Sequence, residues 1–341
     1  MSAPGDREQL DFLTKLQRLL AEGNFVASYK YALLLALAEL AVEKGDDTGA
    51  AMRVSLDGIA EKFIRLYWRQ AVPHPAGAVL RQNTGGAASI VTSVGAARKG
   101  NASLATVVRD ARAWKSLKTK VRQTVKTMPL LKLQTLGAST VEFLYANTVV
   151  DSGITLKPGV AFCLRRFHGL IEDLVRGAWL RYVRRTNQSL IGEAADLSEF
   201  MFGSERDDLS GYVPILQSVQ ANTCFYCAKT LSKPVVDHFI PWALYPVDLG
   251  HNFVLADEGC NGTKSDVLAG KRHLERWWRQ VDDHGAALGD EFDKAGKVHD
   301  AAASQRVTNW AYTNAGQAGA MLWVEAKKFE LSAGWRAVVG A

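Results

Sequence analysis

The stretch between Cys224 and Asp266 constrains this chain more than any other, because three of the four cysteines lie there together with an Asp-His pair and two asparagines. In chain order these residues are Cys224, Cys227, Asp237, His238, Asn252, Cys260, Asn261 and Lys264. Hydrolysis of a phosphodiester needs a base that deprotonates water, a divalent cation that neutralises charge on the phosphate, and ligands for that cation. An imidazole such as His238 suits the base, while Asp237 and Asn261 offer the oxygen ligands that Mg²⁺ accepts. The stretch therefore predicts a metal-dependent nuclease site.

Local patterning predicts a scaffold for this set. A β-branched run at 234–236 leads into Asp237 and His238, and a second apolar run follows at 252–256, so two strands joined by a loop are expected. Apolar residues at roughly helical intervals beyond Cys260 predict a helix that reaches about Trp278. Adjacent residues of a regular strand face opposite sides, so bringing Asp237 and His238 into one site requires irregular backbone near Pro241.

With this spacing, residues 224–266 resemble the ββα-metal (HNH) nuclease superfamily, in a variant whose last motif residue is Asn. The resemblance implies that His238 is the general base, that Asp237 and Asn261 hold a catalytic Mg²⁺ or Mn²⁺, and that Asn252 braces the loop behind His238. It also implies that Lys264 contacts a phosphate. The module that this match marks, at 216–282, covers about a fifth of the chain.

The cysteines predict a second, structural metal. Many members of the superfamily carry two Cys-x-x-Cys pairs that hold Zn²⁺ in a tetrahedral site. Here Cys224, Cys227 and Cys260 are present, whereas Asp257 stands where a fourth thiolate would lie. A carboxylate is also a zinc ligand, so Asp257 is the expected fourth ligand and His251 the alternative. Apart from this alternative, His251 has no partner set, and neither have His273, His284 and His299, so these four histidines are expected on the surface. Cys163 is expected in the core.

Length and patterning predict an α+β protein, mostly helical, in which the nuclease module is embedded. Four regions are expected: a helical region at 1–100 that is a candidate for target recognition, a basic region with a small β element at 101–215, the nuclease module at 216–282, and a helical extension at 283–341. Expected helices cover residues 6–21, 25–44, 55–70 and 157–187 and the tail around Trp310 and Trp323, with strands at 141–145 and 149–150. Ser55 is the expected N-cap of the third of these helices. No signal peptide is apparent, the apolar run at 31–42 is too short to span a bilayer, and the cysteine usage fits a reducing cytoplasm.

Basic residues are concentrated although the net charge is only +6. Ten of them lie between Arg98 and Lys132 against the single acidic residue Asp110. The expected phosphate contacts in this segment are Lys115, Lys118, Lys120 and Arg122. A second basic cluster, from Arg165 to Arg185, is interleaved with aromatic residues that are expected to belong to the core. Such runs are typical of polyanion-binding surfaces, so double-stranded DNA is the expected partner.

Together these features predict a cytoplasmic metal-dependent DNA endonuclease, and by analogy with similar architectures a role in restriction or anti-phage defence. Two alternatives remain at this point. One is a nuclease that cleaves RNA with the same residues, and the other is a non-catalytic, zinc-stapled module that binds nucleic acid.

Overall fold

The computed structural model describes residues 2–85, 88–98, 103–148, 152–191, 197–203 and 209–339. The chain divides into two compact units, Met1–Ser204 and Glu205–Ala341. Boundaries expected at residues 215 and 282 fall inside the helices Val213–Gln220 and Lys271–Lys294, and the one expected at residue 100 lies outside the described residues. The division into four functional regions stays a prediction, and the coarser division is into these two units.

The first unit is built around a helix whose residues are almost all buried. Its helices are α1 Asp6–Glu22, α2 Tyr29–Lys44, α3 Leu56–Trp68, α4 Ser89–Ala97, α5 Leu104–Arg109, α6 Ala111–Thr127, α7 Pro129–Lys132, α8 Val160–Arg166, α9 His168–Thr186 and α10 Leu197–Phe202. Helix α2 packs against α3, α8 and α9, which explains why its sequence is apolar on every side. The predicted N-cap is confirmed, since the Ser55 side chain accepts a hydrogen bond from the Gly58 N–H at 3.0 Å.

The strands of this unit are short, and one of them differs from expectation. They are β1 Met52–Ser55, β2 Thr135–Leu136, β3 Ser139–Thr140 and β4 Gly153–Leu156. Strand β1 pairs antiparallel with β4, and β2 with β3. The strand expected at 141–145 contributes only an isolated bridge from Tyr145 to Leu156, and the one expected at 149–150 lies outside the described residues. Gly153, opposite Ser55, has a φ of 148°, and a Cβ there would lie 2.1 Å from the Val54 carbonyl oxygen, so this pairing requires glycine.

The single helix expected at 157–187 is two helices. The chain leaves helical geometry at Phe167, where φ is −107° and ψ is 22°. The shorter helix α8 places Arg165 at the end of α2, where its guanidinium donates to the Ala41 and Val42 carbonyls and pairs with Asp47. The Ala41 carbonyl also accepts from the Gly45 N–H at 2.9 Å. Val42 belongs to the last turn of α2, whose carbonyls lack partners within the helix, so Arg165 supplies a partner there.

The second unit combines five helices and two hairpins of strands among its described residues. The helices are α11 Val213–Gln220, α12 Glu258–Lys264, α13 Lys271–Lys294, α14 Ala301–Gln317 and α15 Arg336–Val339, and the strands are β5 Val235–His238, β6 Phe253–Ala256, β7 Met321–Glu325 and β8 Lys328–Leu331. Strands β5 and β6 are antiparallel, as are β7 and β8. The helix expected from Cys260 to Trp278 is interrupted at Ser265, whose φ is 48°. Trp323 lies in β7, not in a helix, because the buried run around it pairs with β8.

These elements confirm the mostly helical α+β class. Within the described ranges, no helix combines the length and the apolar character that crossing a bilayer requires. Cys163 is buried in the core of the first unit, as expected.

Candidate active site

Strands β5 and β6 and helix α12 follow one another in the expected order of strand, loop, strand and helix. In the pairing of the two strands, His238 at the end of β5 lies opposite Phe253 at the start of β6. Helix α12 begins directly after β6, and Asp257 caps it by accepting a hydrogen bond from the Gly259 N–H at 3.0 Å. The chain thus returns from β6 to β5 through α12, which packs against β5.

Asn252 holds the backbone that follows His238. Its side-chain oxygen accepts from the Ile240 N–H at 2.8 Å, and its side-chain N–H donates to the Ile240 carbonyl at 3.0 Å. The Asn252 carbonyl also accepts from the Phe239 N–H at 2.8 Å. Asn252 is buried, so its geometry is that of a brace and its side chain does not face a substrate.

His238 is held on several sides and pairs with a residue that the sequence reasoning missed. Its Nε2 lies 2.7 Å from Oδ1 of Asp248, and the two side chains are 13% and 15% exposed. The ring packs edge to face against Phe253 and Trp242, at centroid distances of 4.8 and 5.1 Å. Asp248 is the only carboxylate between His238 and Asn252 in the sequence, and that is the signal that identifies it.

Asp237 is buried and lies in a hydrogen-bonded cluster with Lys264 and Tyr226. The Lys264 Nζ lies 3.1 Å from Asp237 Oδ2 and donates to the His238 carbonyl at 2.9 Å. The Tyr226 hydroxyl donates to Asp237 Oδ2 at 2.5 Å. Burial and coupling to Asp237 raise the pKa of Tyr226 well above its usual value, so this phenol is a donor at all ordinary pH values.

The expectation that Lys264 contacts a phosphate is not met by this geometry. Its side chain is 0% exposed. A buried carboxylate requires a partner, and the last turn of α12 directs Lys264 inward to supply one. Lys264 is therefore an internal counter-ion for Asp237.

Asn261 lies three residues before Lys264, which puts both on the face of α12 that packs against β5. It is partly exposed, and its side chain forms no hydrogen bond with the part of the chain that the structure describes. The other carboxylate oxygen of Asp237, Oδ1, lies 3.4 Å from the Lys264 Nζ, farther than Oδ2 does. It can therefore still accept another hydrogen bond or bind a cation. A carboxylate and an amide oxygen fit Mg²⁺, which keeps most of its waters. Lys264 competes with any such cation for Asp237.

The three clustered cysteines form a second candidate metal site. The Sγ atoms of Cys224, Cys227 and Cys260 all lie within 4.8 Å of one another, close to the separation of about 3.8 Å that Zn–S bonds of about 2.3 Å impose in a tetrahedron. The Asp257 N–H donates to Cys224 Sγ at 3.3 Å, and the Lys229 N–H bonds to Cys227 Sγ. Such donors stabilise thiolates, so the donor set fits zinc.

The pKa values of Cys260 and Cys227 shift in opposite directions. Burial and the neighbouring thiols together raise the pKa of Cys260 to about 12. For Cys227 burial acts in the same direction, but the Lys229 N–H and the hydrogen bonds from the other two cysteines outweigh it and lower its pKa. Binding of a cation would require all three to lose their protons.

Neither expected fourth zinc ligand joins this cluster. The Asp257 carboxylate caps α12 and is not part of the cysteine group. His251 is buried, with its Nε2 at 2.9 Å from the Gly285 carbonyl and its ring against Phe292. Both side chains serve local structure, so the described residues supply three ligands.

Two histidines expected at the surface are buried. These are His251 and His273. The Nε2 of His273 lies 2.9 Å from the Val324 carbonyl, its ring stacks on Trp323, and burial lowers its pKa to about 4. His299 is half-buried beside Asp293, whereas His284 is exposed, as expected. His251 and His273 therefore contribute to the core of the second unit.

In the first unit, the expected basic segment forms one amphipathic helix, α6, with a defined basic face. Leu117, Val121 and Val125 bury one side of it. Four basic residues spaced at helical intervals lie along one flank of α6, and they are called the basic stripe: Lys115, Lys118, Arg122 and Lys126. Lys115 is exposed, and the other three are half-buried. Lys120 lies outside this stripe, on the other flank of the helix. Arg122 is partly neutralised by Asp57, at 2.8 Å, and Lys99 lies outside the described residues.

In the second expected basic cluster, Arg165 to Arg185, the residues nearest the start of the cluster form contacts within the first unit. Arg165 is buried at the end of α2, and Arg176 pairs with Glu172 at 2.6 Å and lies over the Phe202 ring. Trp179 and Tyr182 belong to the core, as predicted. Arg181, Arg184 and Arg185, by contrast, are exposed, so this end of α9 is a candidate for polyanion contact alongside the basic stripe.

Comparison with known proteins identifies the first unit but not the second. A family model described as a domain of unknown function (DUF8808) matches residues 9–198, more than half of the chain, so the chain belongs to that family. No curated protein and no solved structure matches the chain significantly. The matched residues all lie within Met1–Ser204. His238 and the residues around it belong to the second unit, which the family model does not match.

Proposed function

We propose that this DUF8808 family member is a cytoplasmic, metal-dependent endonuclease that hydrolyses phosphodiester bonds in double-stranded DNA. The observation that carries the proposal is the His238 ring at the end of β5, paired with Asp248 at 2.7 Å and followed by a loop that Asn252 braces. The imidazole is only 13% exposed and has a carboxylate partner, which is the arrangement expected of a positioned general base. The resemblance of residues 224–266 to the ββα-metal nucleases supplies the reaction class.

In this mechanism His238 accepts a proton from the attacking water, through the ring nitrogen that does not contact Asp248. The water oxygen forms the new bond to phosphorus, and the bond from phosphorus to the 3′ oxygen breaks. By resemblance the products are a 5′-phosphate and a 3′-hydroxyl, whose proton comes from solvent. Asp237 and Asn261 would hold Mg²⁺ or Mn²⁺, which supplies neutralisation of the charge on the phosphate. Cys224, Cys227 and Cys260 would hold Zn²⁺ and fasten α12 to the segment before β5.

The test is cleavage of supercoiled plasmid by the full chain, side by side with a structured RNA. We expect nicked or linear DNA with Mg²⁺ or Mn²⁺, and about one zinc per chain in protein purified under reducing conditions. Brief chelation should stop cleavage before it unfolds the second unit, because an open oxygen site binds its cation more weakly than three thiolates do. Added Mg²⁺ should then restore cleavage. Cleavage of RNA alone would reassign the substrate, and zinc-free protein would contradict the structural zinc.

One observation favours a second candidate, a non-catalytic zinc-stapled module that binds nucleic acid. The Lys264 ammonium already neutralises Asp237, which disfavours binding of another cation there. This candidate predicts that the chain binds DNA but leaves plasmid and RNA intact with every divalent cation tried.

Contact between the basic stripe and DNA predicts a specific salt dependence. Each phosphate contact contributes about 0.9 to the slope of log affinity against log salt on duplex DNA. Replacing Lys115 and Lys118 together by Gln should therefore flatten the slope by up to about 1.8. The comparison variant is Lys120→Gln on the other flank of α6, where a flatter slope would extend the contact to that flank and an unchanged slope would confine it to the basic stripe. Equal slopes for all three proteins, measured by fluorescence anisotropy, would mean that DNA does not contact this face.

A further inference from the structure

We propose that Asp248 is a positioning residue that fixes the tautomer and the orientation of the His238 imidazole. The inference rests on the proposed function, in which His238 is the base. Asp248 Oδ1 lies 2.7 Å from His238 Nε2, and both side chains are mostly shielded from water. Asp248 touches neither the scissile bond nor a cation in this role and acts only through His238.

The backbone around Asp248 is anchored, as a positioning role requires. Immediately after it, the Gly250 N–H donates to the Val298 carbonyl at 2.9 Å, and the Asn252 N–H donates to the Leu249 carbonyl at 2.8 Å. A Cβ on Gly250 would lie 2.8 Å from the Phe292 ring, so this segment sits directly on α13. The Asn252 brace then ties the same segment to the residue two beyond His238. Asp248 and His238 are thus held at the two ends of one braced loop.

The chemistry of the pair selects one tautomer. An ionised carboxylate only accepts hydrogen bonds, so His238 Nε2 must carry the proton that it donates to Asp248. In the neutral ring, Nδ1 then has the free lone pair and is the atom that can take a proton from water. Phe253 and Trp242 pack on the ring and oppose its rotation. A base without this partner would divide between two tautomers, one of which presents N–H where a lone pair is needed.

The experiment compares Asp248→Asn with the parent chain and with Asp283→Asn, an exposed position on α13. Asn keeps the shape of Asp, but its amide both donates and accepts hydrogen bonds. The contact with His238 is therefore kept, but it no longer requires one particular tautomer of the imidazole. Long-range ¹H–¹⁵N spectra of histidine-labelled protein, recorded where the ring is neutral, distinguish the two nitrogens. The His238 signals are assigned with His238→Gln. We expect a single Nε2–H tautomer in the parent and in Asp283→Asn, and a mixture or the Nδ1–H form in Asp248→Asn.

Cleavage kinetics provide the second readout. For Asp248→Asn we expect kcat to fall about 10- to 10³-fold while KM changes by less than about twofold, because the base is misoriented but the DNA-binding surface is intact. Thermal unfolding of the same samples confirms that the variant is folded. An unchanged tautomer, or a tautomer change without loss of kcat in an active enzyme, would overturn the inference. If the parent cleaves nothing and yet Asp248→Asn changes the tautomer, Asp248 positions His238 as inferred and the proposed nuclease function fails instead.

Discussion

Replacing His238 by Ala should reduce the rate of DNA cleavage by about 10²- to 10⁴-fold, the contribution of a positioned general base. DNA affinity should remain within about twofold, because general-base catalysis lowers the barrier of the chemical step and not the free energy of ground-state binding. The measurement is single-turnover cleavage of a labelled duplex at saturating enzyme, with binding followed by anisotropy in the presence of Ca²⁺ instead of Mg²⁺.

The matched control for this prediction is His284→Ala, since His284 is an exposed histidine in the same unit. It should cleave at the rate of the parent. If His238→Ala also cleaves at that rate, the base assignment is wrong, and the chemistry must be sought at another residue. A loss of cleavage accompanied by an equal loss of affinity would instead indicate that the variant no longer folds around the Asn252 brace.

Replacing Lys264 by Met should destabilise the second unit by about 3–5 kcal/mol, because Asp237 would remain as a buried charge without its counter-ion. The Tyr226 hydroxyl would still donate to Asp237 but carries no charge. Combining Lys264→Met with Asp237→Asn should recover most of this loss, since the pair is then replaced by neutral groups of similar size. Hydrogen exchange of the amides of β5 and β6 reports the stability of this unit separately from the first.

Lys271→Met is the control, at a half-exposed lysine whose ammonium lies 3.7 Å from Glu275, and it should leave this exchange almost unchanged. The same variants test the competition between Lys264 and a cation. Without Lys264, Asp237 is available to Mg²⁺, so added Mg²⁺ should slow exchange more in Lys264→Met than in the parent chain. A Lys264→Met protein as stable as the double variant would show that Asp237 is not a buried charge in need of a counter-ion.

Local sequence patterns predicted the parts of this protein that depend on nearby residues. Ser55 was identified as an N-cap because its partner, Gly58, lies three residues away. The order of β5, β6 and α12 followed from short apolar runs and the turn residues between them, and the clustering of three cysteines from their spacing. Errors arose where strand and helix compete for an apolar run, as at Trp323, which pairs with β8 across a turn at Lys327, whose φ is 62°.

What the sequence alone determined is the mostly helical class, the buried helix α2, the strand, loop, strand and helix around His238, and the set of residues able to carry chemistry there. Only the tertiary structure decided how those residues are used. It buried Lys264 against Asp237, 27 positions away, and paired His238 with Asp248. In the folded chain Asp257 caps helix α12 and is not a fourth ligand beside the cysteines. It also paired β1 with β4 across about a hundred residues of chain. The physical reason is that propensity and periodicity act within a few residues, whereas the partner of a buried charge is chosen by desolvation, which operates only once distant segments have packed together.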